Sequence, residues 1–465
     1  MIDWSNADQD ELSPAAREYL ELLLREEGVE LDSTGTIGPR GSAAVELSFA
    51  QQRLWFLAQL EPGSTAYNVP AALRLSGALD VAALARSLGE VVRRHEVLRT
   101  AIRTVAGQPA AEIIEMKGPF PLPLVDLSGL PPARRRGEAG GLVEREELRP
   151  FDLTHAPLLR STIVVLGPAE HLALLTMHHI VSDGWSVGVL VREMGALYEA
   201  FRQGRPLPLP PLSIQYADFA SWQRRELTGD TLARHLGYWR ERLAGAPPVI
   251  TLPTDRPRPP VRDLRGARLP VRLPSPLGEA ADALGQLYGA TPFMTLLAMI
   301  ATWLHRHGAG EDLVVGSPIA NRTRAELEGL IGFFANNVVL RLGLGDNPTW
   351  RDLLARTREV TLGAYEHQDL PFEKIVEELV PARDLGYNPL FQVVVALQNT
   401  PVPALSLAGL TLGDWDLALS TARFDLVVEM EEERRWQGHI EYATDLFDAA
   451  TVERMAGHLT ELMRG

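Results

Sequence analysis

Hydrophobic and polar positions are most legible between residues 159 and 204. Leu159–Leu166 is an apolar, β-rich run, Gly167–Glu170 reads as a turn, and His171–His178 is a second apolar run, so a β-hairpin is predicted. A short loop follows. Beyond it Val187, Leu190, Val191, Met194, Leu197, Tyr198 and Phe201 recur at helical spacing, with Ser186 placed to cap the helix and Gly204 to close it. Near the N-terminus an amphipathic helix is predicted over 10–28. Ser13 is its N-cap, Pro14 takes the first helical position, Leu20, Leu23 and Leu24 share one face, and Gly28 ends the pattern. Val452, Met455, Leu459 and Met463 predict a terminal helix. Interleaved strand and helix signals indicate a mixed α/β fold.

The punctuation between these elements suggests how the chain is divided. Asp32–Ser42 is polar and Gly-containing, as a linker would be, and the main fold is expected to start near Glu46. Two Pro-rich stretches, Arg205–Leu212 and Pro247–Arg265, read as extended crossings between lobes. At 465 residues the chain exceeds one ordinary core, so two lobes are expected. The division is residues 1–45 (N-terminal helix and linker, a candidate docking element), 46–215 (N-terminal lobe) and 216–465 (C-terminal lobe).

Composition narrows the class. With 46% hydrophobic and 23% charged residues the chain has the make-up of a globular protein. A formal net charge of −15 argues against nucleic acid as the main partner, because phosphate binding needs a basic surface. No apolar run reaches membrane-spanning length, so no membrane partner is expected, and the acidic start MIDWSNADQDEL does not resemble a signal peptide. The absence of cysteine excludes disulfides, thiolate metal sites and a cysteine nucleophile, and fits a cytoplasmic location.

The candidate chemistry lies between the hairpin and its following helix, in Met177-His178-His179-Ile180-Val181-Ser182-Asp183-Gly184-Trp185-Ser186. Two imidazoles, a carboxylate and a glycine are placed where a strand ends and a helix begins, a common place to present groups to a cleft. An imidazole titrates near neutrality and can take a proton from an attacking amine. Gly184 allows close backbone approach, and N–H groups near a helix start favour an oxyanion. A purely structural role for these histidines stands beside that reading. A metal site is disfavoured, because adjacent His side chains at a strand end diverge and no HExxH occurs. Gly184-Trp185-Ser186-Val187-Gly188 also satisfies the GxSxG form of a hydrolase elbow, yet Ser186 lies several polar residues beyond its strand and is more simply a helix cap.

The same segment matches the HHxxxDG signature of nonribosomal-peptide condensation domains, relatives of chloramphenicol acetyltransferase. Its company strengthens the resemblance. Ser48-Phe49-Ala50-Gln51-Gln52-Arg53-Leu54-Trp55-Phe56-Leu57 resembles the family's first motif, and Arg94-His95-Glu96-Val97-Leu98-Arg99-Thr100 the second. Tyr216-Ala217-Asp218-Phe219-Ala220-Ser221-Trp222 resembles the fourth and Ile331-Gly332-Phe333-Phe334-Ala335-Asn336-Asn337 the fifth. His367-Gln368-Asp369-Leu370-Pro371-Phe372-Glu373 is similar to the sixth, and Arg383-Asp384 with Asn388-Pro389-Leu390 to the seventh. Ala101-Ile102 and Asn337 depart from the usual residues, which touches packing rather than activity.

The resemblance implies a fold of two acetyltransferase-like lobes in a V-shaped pseudodimer, with the site in a tunnel at their interface. It implies amide formation between an acyl thioester and the amine of an aminoacyl group on a downstream peptidyl carrier protein. No cofactor is bound; substrates travel on phosphopantetheine or coenzyme A. The donor is an acyl-coenzyme A or comes from an upstream carrier protein, and an adenylation domain is an expected neighbour. His179 is then the central residue, as general base or as the group that orients the amine. His178 is structural, Asp183 is buried and paired with Arg99, Gly184 contacts the oxyanion through its backbone, and Trp185 and Ser182 line the channel. The first and third motifs point to the L-donor branch or its lipoinitiating relative, and the opening Met and preceding helix tip the expectation toward lipoinitiation. An epimerisation domain, an ester-forming relative and a non-catalytic carrier-docking module are the alternatives.

Overall fold

The computed structural model describes residues 36–41, 45–380, 384, 386–398, 407–415, 421–431 and 436–464. The helix expected over 10–28 and Arg383 of the seventh motif lie outside the described residues. In chain order the first half comprises α1 (Phe49–Leu60), β1 (Asn68–Gly77), α2 (Val81–Arg94), β2 (Thr100–Val105), β3 (Gln108–Ile113), β4 (Leu124–Asp126), α3 (Pro132–Glu147), β5 (Leu159–Gly167), β6 (Glu170–His178) and α4 (Gly184–Arg202). The second half comprises α5 (Tyr216–Glu226), α6 (Gly229–Arg242), β7 (Gly266–Arg272), α7 (Ser275–Leu287), α8 (Pro292–Arg306), β8 (Asp312–Ile319), α9 (Ala325–Glu328), β9 (Asn336–Gly343), α10 (Trp350–Glu366) and α11 (Phe372–Leu379). It continues with β10 (Val393–Gln398), β11 (Leu410–Asp414), β12 (Leu426–Glu431), β13 (Gln437–Ala443) and α12 (Ala449–Arg464).

Among the described residues two large sheets and the two-stranded pair β2-β3 organise the chain. The first has the order β11-β1-β6-β5-β4 and the second the order β7-β13-β12-β10-β8-β9. The predicted hairpin is β5–β6, antiparallel, with Leu159 opposite Met177. In the second sheet β10 runs parallel to both β8 and β12, and Val393–Ala396 is buried without alternation, as expected of a strand covered on both faces.

Each sheet is closed by helices whose apolar positions repeat at helical spacing. Leu84, Leu88 and Val91 of α2 are buried, as are Leu190, Met194 and Leu197 of α4, and the two helices pack on one another. In the second lobe α8 is buried nearly all round, with Leu296, Leu297, Ile300 and Leu304 at 0% exposure. Each such leucine contributes roughly 1.5–3 kcal/mol relative to an exposed one. The predicted terminal helix is α12, which buries Val452, Met455 and Leu459.

Two sequence expectations need correction. The helix after the hairpin is capped by Asp183, whose carboxylate accepts the Ser186 N–H at 2.8 Å, so Ser186 lies inside the first turn. The Pro-rich stretch 247–265 does not cross between lobes. It follows the second lobe, where Arg256 pairs with Asp448 and Arg258 with Asp425. The crossing is made instead by β11, which leaves the C-terminal half to pair antiparallel with β1 in the first sheet.

Candidate active site

β6 is buried through its last three residues, Thr176, Met177 and His178, where it ends. One 3-10 turn, His179–Val181, and Ser182 then lead to Asp183 and α4. The turn is pinned from two sides. Its His179 N–H donates to the Tyr67 carbonyl at 2.8 Å, and the Gln51 side-chain amide of α1 donates to the Ile180 carbonyl at 3.0 Å.

The two histidines occupy different environments. His178 is buried, its Nδ1 accepts the Ile180 N–H at 3.1 Å, and its ring meets Phe151 edge-on. Burial, with neighbouring His179 and Arg160, pushes its pKa down to about 3, so the ring is neutral and engaged within the fold. His179 is half-buried, and its Nδ1 lies 2.7 Å from the Ser182 carbonyl. A carbonyl only accepts, so Nδ1 carries the proton and Nε2 keeps its lone pair. Burial first and the Arg423 guanidinium second press the His179 pKa down to about 4, against the opposing pull of Asp183 and the Ser182 carbonyl. At neutral pH His179 therefore offers an unprotonated Nε2.

Asp183 anchors the loop. It is 2% exposed. Its Oδ1 accepts the Ser186 N–H at 2.8 Å, lies 2.7 Å from Ser186 Oγ and accepts from Arg322 at 3.2 Å. Its Oδ2 accepts the N–H groups of Phe334 and Ala335 at 3.0 and 3.2 Å. The expected pairing with Arg99 is not made. Arg99 closes a short turn after α2 and spends its guanidinium locally, on the Arg93 and Ile114 carbonyls and near Glu96. The partner is Arg322, from the connection between β8 and β9. Its side chain is 1% exposed, and burial lowers its pKa against the pull of Asp183. Arg322 also donates to the Leu330 carbonyl at 2.9 Å and lies over the Phe334 ring at 4.0 Å.

The remaining expected residues are placed as follows. Gly184 opens α4, exposed, and its N–H is among the first-turn donors that no intrahelical carbonyl can reach. A Cβ there would meet nothing within 4 Å, and its φ is not positive, so neither packing nor backbone strain demands a glycine. Trp185 is half-buried and donates its indole N–H to the Glu328 carbonyl at 2.9 Å, joining α4 to the β8–β9 connection. Ser182 does not line the channel with its side chain, which is fully buried, 3.3 Å from the His178 carbonyl; its contribution to the site is the carbonyl that orients His179. Ser186 is also fully buried and held by Asp183 and Gly332, which removes it as a hydrolase nucleophile.

The quoted motifs come together around this loop. Arg53 of the first pairs with Glu373 of the sixth at 3.0 Å, and Asn336 of the fifth donates to the Gln368 and Leu370 carbonyls at 2.9 Å. Phe333 of the fifth sets its ring 4.6 Å from His179, at a steep angle. Sequence reasoning missed Arg322, Arg423 and Tyr67. No periodicity or motif marks these residues, and only the fold brings them to the histidine loop.

The mixed α/β fold, with its oriented, neutral imidazole just beyond the end of β6, matches the chloramphenicol acetyltransferase-like fold of condensation-domain structures. The chain belongs to the condensation-domain family, whose profile matches residues 42–465. Members of that family form amide bonds in nonribosomal peptide synthetases. The chain is 46% identical over 424 residues to a linear gramicidin synthase of Brevibacillus parabrevis, covering 90% of this chain and 8% of that one. It is 43% identical over 465 residues to the phosphinothricin tripeptide synthetase PhsC of Streptomyces viridochromogenes, covering 97% of this chain and 42% of the relative. The X-domain from teicoplanin biosynthesis shares the fold with a TM-score of 0.84 at 30% identity, covering 92% of this chain and 96% of that structure. The chain thus spans less than half of either curated relative.

Proposed function

We propose that the site joins an acyl group held as a pantetheine thioester to the amine of an aminoacyl group on a downstream peptidyl carrier protein. The observation that carries this reading is the tautomer of His179: Nδ1–H is committed to the Ser182 carbonyl, which leaves Nε2 as a neutral acceptor. An ordinary α-amine titrates near 7.7–8.0. A histidine held down to about 4 is a much weaker base. Its work is therefore to accept a hydrogen bond from the amine and aim its lone pair at the thioester carbonyl. The proton transfers once attack has made the nitrogen acidic. On this reading the Gly184 N–H, a first-turn donor with no intrahelical acceptor, meets the carbonyl oxygen as charge develops on it. Trp185 walls the approach. A thioester is already activated, so holding two substrates in register supplies most of the rate, and the chemistry asks for no resident cofactor.

Fatty acyl-coenzyme A and an acyl group on an upstream carrier protein present the same pantetheine thioester. The test offers each in turn with an aminoacyl-loaded carrier and reads the N-acylated product by mass spectrometry, with His179→Ala as control. Product from acyl-coenzyme A, lost in the variant, is expected of a lipoinitiating domain. Product only from the carrier-borne donor assigns elongation. No product from either donor would overturn the assignment in favour of an epimerising or docking role, and native yield from His179→Ala would remove His179 from the chemistry.

A further inference from the structure

The connection between β8 and β9 is held through its backbone by side chains remote in sequence. Ile331 N–H donates to His95 Nδ1 at 3.3 Å and Gly332 N–H to Ser186 Oγ at 3.0 Å. The Phe334 and Ala335 N–H groups both reach Asp183. Between them, the Phe333 carbonyl accepts the Tyr216 hydroxyl at 2.7 Å. That hydroxyl donates its one hydrogen to the carbonyl, so the hydrogen bond of 2.8 Å with Ser48 is donated by Ser48, the N-cap of α1. Burial raises the Tyr216 pKa and keeps the phenol protonated.

Close approach makes this arrangement specific. A Cβ on Gly332 would lie 2.0 Å from the Tyr216 ring, so the glycine lets the ring pass beneath the connection and reach the next carbonyl. The ring packs against Phe219 and Phe334 irrespective of its hydroxyl. The hydroxyl joins Ser48 to the Phe333 carbonyl, and Phe333 is the residue whose ring meets the His179 imidazole at 4.6 Å.

We propose that Tyr216 is a positioning residue for acyl transfer: its hydroxyl, braced by Ser48, fixes the Phe333 backbone and so seats the Phe333 ring against His179. The ring keeps water from that side of the imidazole and limits its rotation about the Nδ1–H bond. The charged and titratable groups around His179 are His178 at the end of β6, Asp183 in the loop, Arg322 from the β8–β9 connection, Arg423 ahead of β12 and Tyr67 ahead of β1. Loosening Phe333 leaves all of these in place and changes solvent access.

The inference rests on the reading of His179 as the centre of the site. The test is Tyr216→Phe in the full chain, which removes only the hydroxyl. Single-turnover transfer should fall about ten-fold at saturating carrier with KM little changed, because a small misplacement near the reacting atoms costs rate rather than binding. Histidine-labelled NMR, with the His179→Gln spectrum for assignment, should show His179 titrating higher, shifted roughly half a unit or more toward its ordinary value. A folded Tyr216→Phe protein with native rate and native His179 titration overturns the inference. If that variant does not fold, Phe333→Leu is read the same way: both shifts support the role of the ring, and neither refutes it. Full activity in His179→Ala would instead remove the underlying reading, whereas an inactive His179→Ala beside a native Tyr216→Phe removes this inference alone.

Discussion

Replacing Arg322 by methionine leaves the Asp183 carboxylate buried without its cation. Both side chains are nearly inaccessible, at 1% and 2% exposure, so water cannot take over the missing contact. Breaking such a pair from one side costs about 3–5 kcal/mol. Asp183 keeps the N–H groups of Ser186, Phe334 and Ala335 as donors, which places Arg322→Met near the lower end. Asp183→Ala is the harsher change. It strands a buried guanidinium and leaves those N–H groups without their acceptor, each worth on the order of 1–3 kcal/mol, so its loss should reach or exceed the upper end. Arg99→Met is the internal contrast: its contacts are long and local, and it should cost less than about 1 kcal/mol. Urea unfolding followed by tryptophan fluorescence reads all three, with stability differences compared only where the m-value is conserved. The reasoning fails if Arg322→Met is nearly neutral while Arg99→Met costs several kcal/mol, for then Arg99 would be the partner in solution.

Two further outcomes follow from the same geometry. His178 and His179 are held at about 3 and about 4 in the fold, below their ordinary 6.5, so the unfolded chain binds more protons across that interval. Stability is therefore full above 6.5 and declines as pH falls from 6.5 toward 4. Urea midpoints measured along that range should drop, and less steeply in His178→Gln; equal slopes would contradict the assigned cause. Gly184→Ala places a methyl group where, outside its own turn of helix, no described atom lies within 4 Å and where φ is not positive. Its melting temperature should match or slightly exceed the native value, while transfer falls at least about ten-fold if a substrate oxygen approaches this backbone. Native transfer rates in the alanine variant would remove Gly184 from the mechanism.

The hairpin, the helix behind it and the histidine loop between them were legible because their signals are local. Two apolar runs over Leu159–His178 split by a turn, and helical spacing over Val187–Phe201, need no knowledge of the rest of the chain. The motif resemblance added the family and, with it, the expectation that His179 is central. Capping was misjudged by three residues: serine is a good N-cap by type, yet the Asp183 carboxylate sits where it can accept both the Ser186 N–H and hydroxyl. The Pro-rich stretch 247–265 looked like a crossing because proline reports extended backbone and not the surface it follows.

What the sequence by itself determined is the local elements and which residues match the family's motifs, since residue type and short spacing are covalent facts. What tertiary structure decided is how those residues are tuned. Asp183 and Arg322 are 139 positions apart, and Tyr216 and Phe333 are 117 apart. Their meeting depends on where two sheets and the β8–β9 connection come to rest. The low pKa of His179 comes first from burial and then from Arg423, and neither exists until the fold closes. Burial and long-range charge are properties of packed space, so no local pattern encodes them.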